Sequence, residues 1–195
     1  MIILLGRDSI GRDVRVDDRT LFKIRAAEAR LGFKLVITQG SYNSSNESSA
    51  GTHDRGGVLD ISVNSLPKTT TVWRVLTVLR ECGLIAWYRT PSQGPWVFHI
   101  HLVDYGNPNL SSGAQAQVRA WEQGFNGLAN RATDDGPHVR IPKEIAVKNH
   151  VTQGRVYIEM GLAELKQARV KGRPRPAVSA AVTAIQAILN RMPKS

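Results

Sequence analysis

The chain has 195 residues, 42% of them hydrophobic, which suits one globular domain with a real core and room for a small appendage. Its single cysteine, Cys82, excludes an internal disulfide framework and a four-cysteine zinc module, and reads as a small buried hydrophobe in a helix. The formal charge of +10 is uneven: residues 1–140 hold 16 Lys and Arg against 13 Asp and Glu, and residues 141–195 hold 10 against 3.

The opening segment, MIILLGRDSIG, lacks the basic stretch and cleavage site of a secretory signal. No segment approaches the roughly 20 apolar residues that span a bilayer. Synthesis in the cytoplasm without a signal peptide, and no membrane span, are the expectations. Residues 18–31 predict an amphipathic helix, with Leu21, Ile24 and Leu31 at helical spacing, acids at its start and Gly32 at its end. KLVITQGSYN (34–43) reads as a strand running into a polar loop that continues through Gly57. A loop of that length in a compact domain is often functional. VLDISV (58–63) is the next strand, and residues 69–83 a helix closed by Gly83. LIAWYR (84–89) and WVFHIHLVD (96–104) are two more strands, joined as a hairpin by TPSQGP. A helix over 112–132 follows. This order predicts an α+β fold, a small antiparallel sheet flanked by helices, rather than repeated βαβ units.

Beyond residue 133 the composition shifts. Residues 134–150 read as a linker and 151–195 as a basic helical extension. Its two helices, 154–170 and 177–192, are joined by the basic turn KGRPRP, and Val178, Val182, Ile185, Leu189 and Met192 form one apolar stripe. A basic surface of this kind draws polyanions: nucleic acid, acidic membrane or an anionic wall polymer. The stripe equally suits self-association or packing on the first domain.

Strand alternation sharpens two segments. In WVFHIHLVD it places Trp96, Phe98, Ile100 and Leu102 on one face, and Val97, His99, His101 and Val103 on the other. In VLDISV it groups Asp60 with Val58 and Ser62. An acid in such a strand is costly to bury unless it is paired or bound to a metal. With His53 at the end of the polar loop, these residues form a candidate metal set. Catalytic zinc takes three His or carboxylate ligands and keeps one position open. Four candidates leave one to act as general base. Each histidine taken alone also suits a hydrogen-bonded structural role.

The run His53-Asp54-Arg55-Gly56-Gly57-Val58-Leu59-Asp60 resembles the signature Ser-x-His-x-x-Gly-x-Ala-x-Asp. That signature belongs to zinc peptidases that include D-Ala-D-Ala carboxypeptidases and the L-alanyl-D-glutamate endopeptidases of phage endolysins, within a wider group holding lysostaphin-type and hedgehog-type domains. His99-Ile100-His101 resembles the group's second motif, and the likeness spans roughly residues 15–130. It implies a zinc peptidase domain over 1–133, with Zn2+ held by His53, Asp60 and His101 and with His99 as general base or stabiliser beside the attacking water. The implied substrate is the peptide stem of bacterial peptidoglycan, met in the periplasm or wall after release, or from a virion. The basic extension would then hold anionic wall polymer. Gly51 and Val58 replace the family's Ser and Ala, and Phe98 stands where many members carry a catalytic Glu. The polar loop before His53 lacks the usual carboxylate-holding Arg, leaving Tyr42, Asn43 and Arg55 as substitutes, which favours an endopeptidase over a carboxypeptidase. Gly56 and Gly57 would let the backbone turn sharply between the two ligands. Trp87, Tyr88 and Trp96 suit either a groove or the core. Two other readings stand beside this one: a zinc-binding wall module without catalysis, and a basic nucleic-acid-binding protein.

Overall fold

The computed structural model describes residues 1–44, 49–139 and 141, together with Ile158, Thr183, Ile185 and Gln186. The chain forms two compact units, Met1–Pro142 and Lys143–Ser195. In the second unit the four described residues are helical, and the rest of the expected helix pair and its stripe lies outside the described residues.

The first unit is α+β. A hairpin of β1 (Ile2–Arg7) and β2 (Asp13–Asp17) leads into helix α1 (Asp18–Leu31). Then come β3 (Ile37–Gln39), β4 (Val58–Ser62), α2 (Val72–Glu81), β5 (Leu84–Arg89), β6 (His99–Asp104) and α3 (Ser112–Glu122). The last four strands form one antiparallel sheet in the order β3-β4-β6-β5. Among the described residues no helix is long and apolar enough to cross a membrane.

Side-chain capping fixes where the helices begin. Asp17, Thr71 and Ser111 each accept a hydrogen bond from a backbone N–H in the first turn of α1, α2 and α3. Gly32, in the left-handed region at φ 82°, ends α1. Glu28, near that end, accepts from Lys34 Nζ at 2.8 Å, Arg25 Nη1 at 2.7 Å and Leu35 N at 3.0 Å.

One face of the sheet buries Leu59, Ile61, Ile100 and Leu102. Leu76 and Leu79 of α2 and Ile24 and Ala27 of α1 are buried with them, α2 packing on β5 and on α1. The other face carries Val58, Ile85, Trp87 and Val103, which pack with Leu110, Ala114 and Ile141. Cys82 is fully buried at the end of α2, and burial pushes its thiol up to about 11.

Several elements differ from expectation. The β1–β2 hairpin is new, and it supports the polar loop, since Ser41 N donates to Arg15 O at 2.8 Å. Helix α3 stops at Glu122, with Gly124 at φ 84° just past its C-cap Gln123. Strand β6 begins at His99, so the alternation expected from Trp96 does not hold. Phe98 is exposed and stacks on Tyr88, and Val97 is 76% exposed. The first unit also runs past the expected boundary at residue 133. Asp134 pairs with buried Arg80, and Ile141 joins the core.

A buried polar knot joins α1 to the end of β6. Asp104 is fully buried and binds Lys23 Nζ, Arg19 Nε at 3.0 Å, Thr20 Oγ1 at 3.0 Å and Asn107 Nδ2 at 3.0 Å. Asp17 lies in the same knot, accepting from Thr20, Asn107 and the backbone N–H of Gly57.

Candidate metal centre

The polar loop is pinned on both sides of His53. Asn43 N donates to His53 O at 2.9 Å, Tyr42 N to Arg55 O at 3.1 Å, and Ser111 Oγ to Thr52 O at 3.0 Å. Glycine is required next to it. A Cβ on Gly56 would lie 2.7 Å from Tyr42 Oη and 2.9 Å from Asp17 Oδ2. Gly57 has φ +82°, and a Cβ there would lie 2.6 Å from Leu110. The loop thus enters β4 directly over the Asp17 carboxylate, with Gly57 N donating to it at 2.9 Å.

Sheet register does the rest. Asp60 on β4 lies opposite His101 on β6, and Ser62 opposite His99, so Asp60, His99 and His101 share a face. His101 Nδ1 is 2.8 Å from Asp60 Oδ1, His53 Nε2 is 3.5 Å from it and His99 Nε2 is 3.8 Å from it. One ligand atom each from His53, Asp60 and His101 lies within 4.8 Å of the others. All four residues expected at the site therefore come together.

The outward nitrogens decide the protonation. His53 Nδ1 is 3.0 Å from Gly40 O, and His99 Nδ1 is 2.8 Å from Val97 O. A carbonyl only accepts, so each Nδ1 carries a proton and each ring turns its Nε2 toward Asp60. His101 spans the Asp60 carboxylate, 2.8 Å from its Nδ1, and the Gln117 side-chain amide, 2.9 Å from its Nε2, which fixes the ring between them. His53, His99 and His101 each bring a ring nitrogen within 3.8 Å of Asp60 Oδ1. Such a set can take up positive charge, as protons on the rings or as a metal ion. Imidazoles held from behind by a carbonyl or amide oxygen are the usual outer support of a metal site.

The electrostatics agree. Burial would raise the Asp60 carboxyl, but the His53 charge and the hydrogen bonds from His101 and His53 outweigh it and hold the carboxyl far below the usual range. Burial also pushes the His101 imidazole down, against the pull of Asp60.

The cluster opens into a cleft of about 670 Å³. Gln39, Thr52, Trp96, Gln117 and Gly127–Asn130 are among the residues that line it. No family model matches the sequence, and searches of curated proteins and of solved structures return no match.

The aromatic candidates divide. Trp87 is a core residue, 1% exposed and stacked on His101. Tyr88 pairs with Phe98 outside the cleft. Trp96 lines the cleft, edge-on to His99 at 6.3 Å. Tyr42, Asn43 and Arg55 are not among the described residues of its wall. Gln117, the Gly40 carbonyl and Arg89 were not expected. Arg89 had a legible signal, because alternation in LIAWYR groups it with Ile85 and Trp87, and the hairpin sets it opposite His99.

Proposed function

We propose that this chain is a zinc-dependent peptidase that hydrolyses an amide bond in the peptide stem of bacterial peptidoglycan, as a lysin or virion-associated wall hydrolase would. The observation that carries the reading is the convergence of His53, Asp60 and His101 on one point at the edge of a cleft, in the order of the two motifs. Two imidazoles and one carboxylate suit zinc and leave a position open. Zinc held there would act as a Lewis acid toward the scissile carbonyl and would acidify the attacking water.

The chain's own residues supply the rest. Gly40 O and the Gln117 side-chain amide hold the His53 and His101 rings from behind. His99, tethered through Nδ1 to Val97 O, offers a free Nε2 lone pair beside Asp60 and takes the proton from water before returning it to the leaving amine. Phe98 points away to Tyr88 and takes no part. Asp60 is the only carboxylate among the described residues of the cleft wall, which leaves the base role to His99.

The test is metal content together with mass analysis of fragments from digested peptidoglycan. The purified protein should hold about one zinc and release stem-peptide fragments, and His53→Ala should abolish both. Unchanged metal in His53→Ala would overturn the site. The lack of a second carboxylate among the described residues of the cleft wall favours one other reading, a zinc-binding wall module without catalysis. Full zinc with no fragment from any wall type would select it.

A further inference from the structure

Arg89 is the only Lys or Arg among the described residues lining the cleft. It ends β5 directly opposite His99, on the face shared by Trp87, His101 and Asp60. Its side chain is 2% exposed, and its guanidinium carbon lies 5.0 Å from the centroid of the Trp87 ring. Neither Nη1 nor Nη2 has a hydrogen-bond partner.

Arg80 shows what a structural arginine looks like in this protein. It is equally buried, yet its Nε and Nη2 donate to Ala86 O, its Nη1 to Pro137 O, and its fork grips Asp134. The acids whose fields reach Arg89 are Asp60, Asp134 and Asp135. Asp60 faces the imidazoles and Asp134 is bound to Arg80. Burial pulls the Arg89 guanidinium down to about 10, so it stays charged at neutral pH. A buried charge with empty donors is destabilising unless something else fills them. Gly127, at φ +73°, matters here. A Cβ there would lie 3.0 Å from the Trp87 ring and 3.5 Å from Arg89 Nη2, so the bare backbone of Gly127 packs closely against the Trp87–Arg89 pair.

We propose that Arg89 is the cleft's carboxylate anchor, its two Nη groups gripping an acid next to the scissile amide and setting that amide over His99 and the metal ligands. A planar fork with two empty donors matches a carboxylate bidentately, and the single Lys or Arg among the described residues lining the cleft suits one negative charge. The substrate class is a peptide with an acidic residue flanking the bond that is cut. The substrate rests on the peptidase reading, whereas the anion site rests on Arg89 alone.

The experiment compares the zinc-loaded full chain with Arg89→Met and Arg89→Lys. Glutarate binding is measured by calorimetry. Any affinity of the metal for glutarate is common to all three proteins, so the difference reads Arg89. Arg89→Met should bind about tenfold or more weakly, with Arg89→Lys between. The melting temperature of Arg89→Met should equal or exceed that of the parent, because an unpaired buried charge has gone. Two stem peptides that differ only in a free or amidated carboxylate beside the scissile bond should be separated about ten- to hundredfold in kcat/KM by the parent, and not by Arg89→Met. Equal glutarate affinity overturns the anchor. So does an Arg89→Met protein that melts several degrees lower or fails to fold, since Arg89 would then be structural. A parent that cuts neither peptide overturns the peptidase reading, and glutarate binding then decides the anchor by itself.

Discussion

Asp104 and Asp60 are acids on neighbouring strands of one sheet, and they keep opposite company. Asp104 is wrapped by Lys23, Arg19, Thr20 and Asn107, every one a donor. Asp60 faces three imidazoles, two of which must spend their Nδ1 protons on carbonyls elsewhere. The first cluster is complete as it stands, and nothing can be added without breaking it. The second gathers three ring nitrogens about one carboxylate oxygen and faces a cleft. Satisfied polar groups hold a fold together, whereas convergent unsatisfied ones ask for a ligand.

The contrast can be broken at either end. Asp60→Asn removes the charge that the imidazoles need in order to hold a cation. It should abolish zinc binding and activity while costing only about 1 kcal/mol of stability, the worth of a typical hydrogen bond. Metal analysis with urea unfolding checks both halves. Asp104→Ala leaves Lys23 and Arg19 buried without their acid and should cost about 3–5 kcal/mol, with residual folded protein still binding zinc. If Asp104→Ala instead leaves stability intact and strips the metal, the two clusters have been assigned the wrong way round.

A finer cut separates ligand from base. His99→Ala should keep zinc and stability yet lower kcat by about a hundredfold or more. Full activity in that variant would move the base elsewhere. The smallest effect belongs to Glu28, a third acid with donors from Lys34, Arg25 and Leu35. Burial opposes its ionisation, but those three bonds win and lower its carboxyl below the ordinary value of 4.5. Its stabilisation is therefore present above that value and lost as pH falls through the folded one. Glu28→Gln should flatten the acid limb of the stability curve by lowering stability near neutrality and leaving it little changed at the acid end, as thermal melts from pH 7 to 3 would show.

Much of this was legible from residue order. The period of two in VLDISV set Asp60 with Val58 and Ser62, and that in the FHIH run set His99 with His101, because strand alternation is a local rule, whereas the β4–β6 register puts the two groups on one face. Helix α1 announced itself through Asp17 and Gly32. Other features depend on partners distant in the chain. Trp96 fell out of phase because β6 starts only at His99, and Pro95 and the turn before it gave no sign of where pairing begins. The β1–β2 hairpin was missed because the exposed Ile2 and Leu4 on β1 have no apolar-in, polar-out pattern, although Val14 and Val16 on β2 do. Arg89 could be placed on a face, but its lack of partners is a fact of packing. Gln117 reaches His101 from a helix 16 residues further on, a distance no motif carries.

Asp17 deserves a last look for what it ties together. One carboxylate caps α1, receives the Gly57 N–H and fills the space a side chain at residue 56 would need. The start of the helix and the hinge of the metal motif are therefore one mechanical part. Damage to the N-terminal helix, far from the cleft, should register first as weakened zinc affinity and only later as unfolding. Amide exchange at Gly57 would report it, rising in Asp17→Ala before the core strands lose protection.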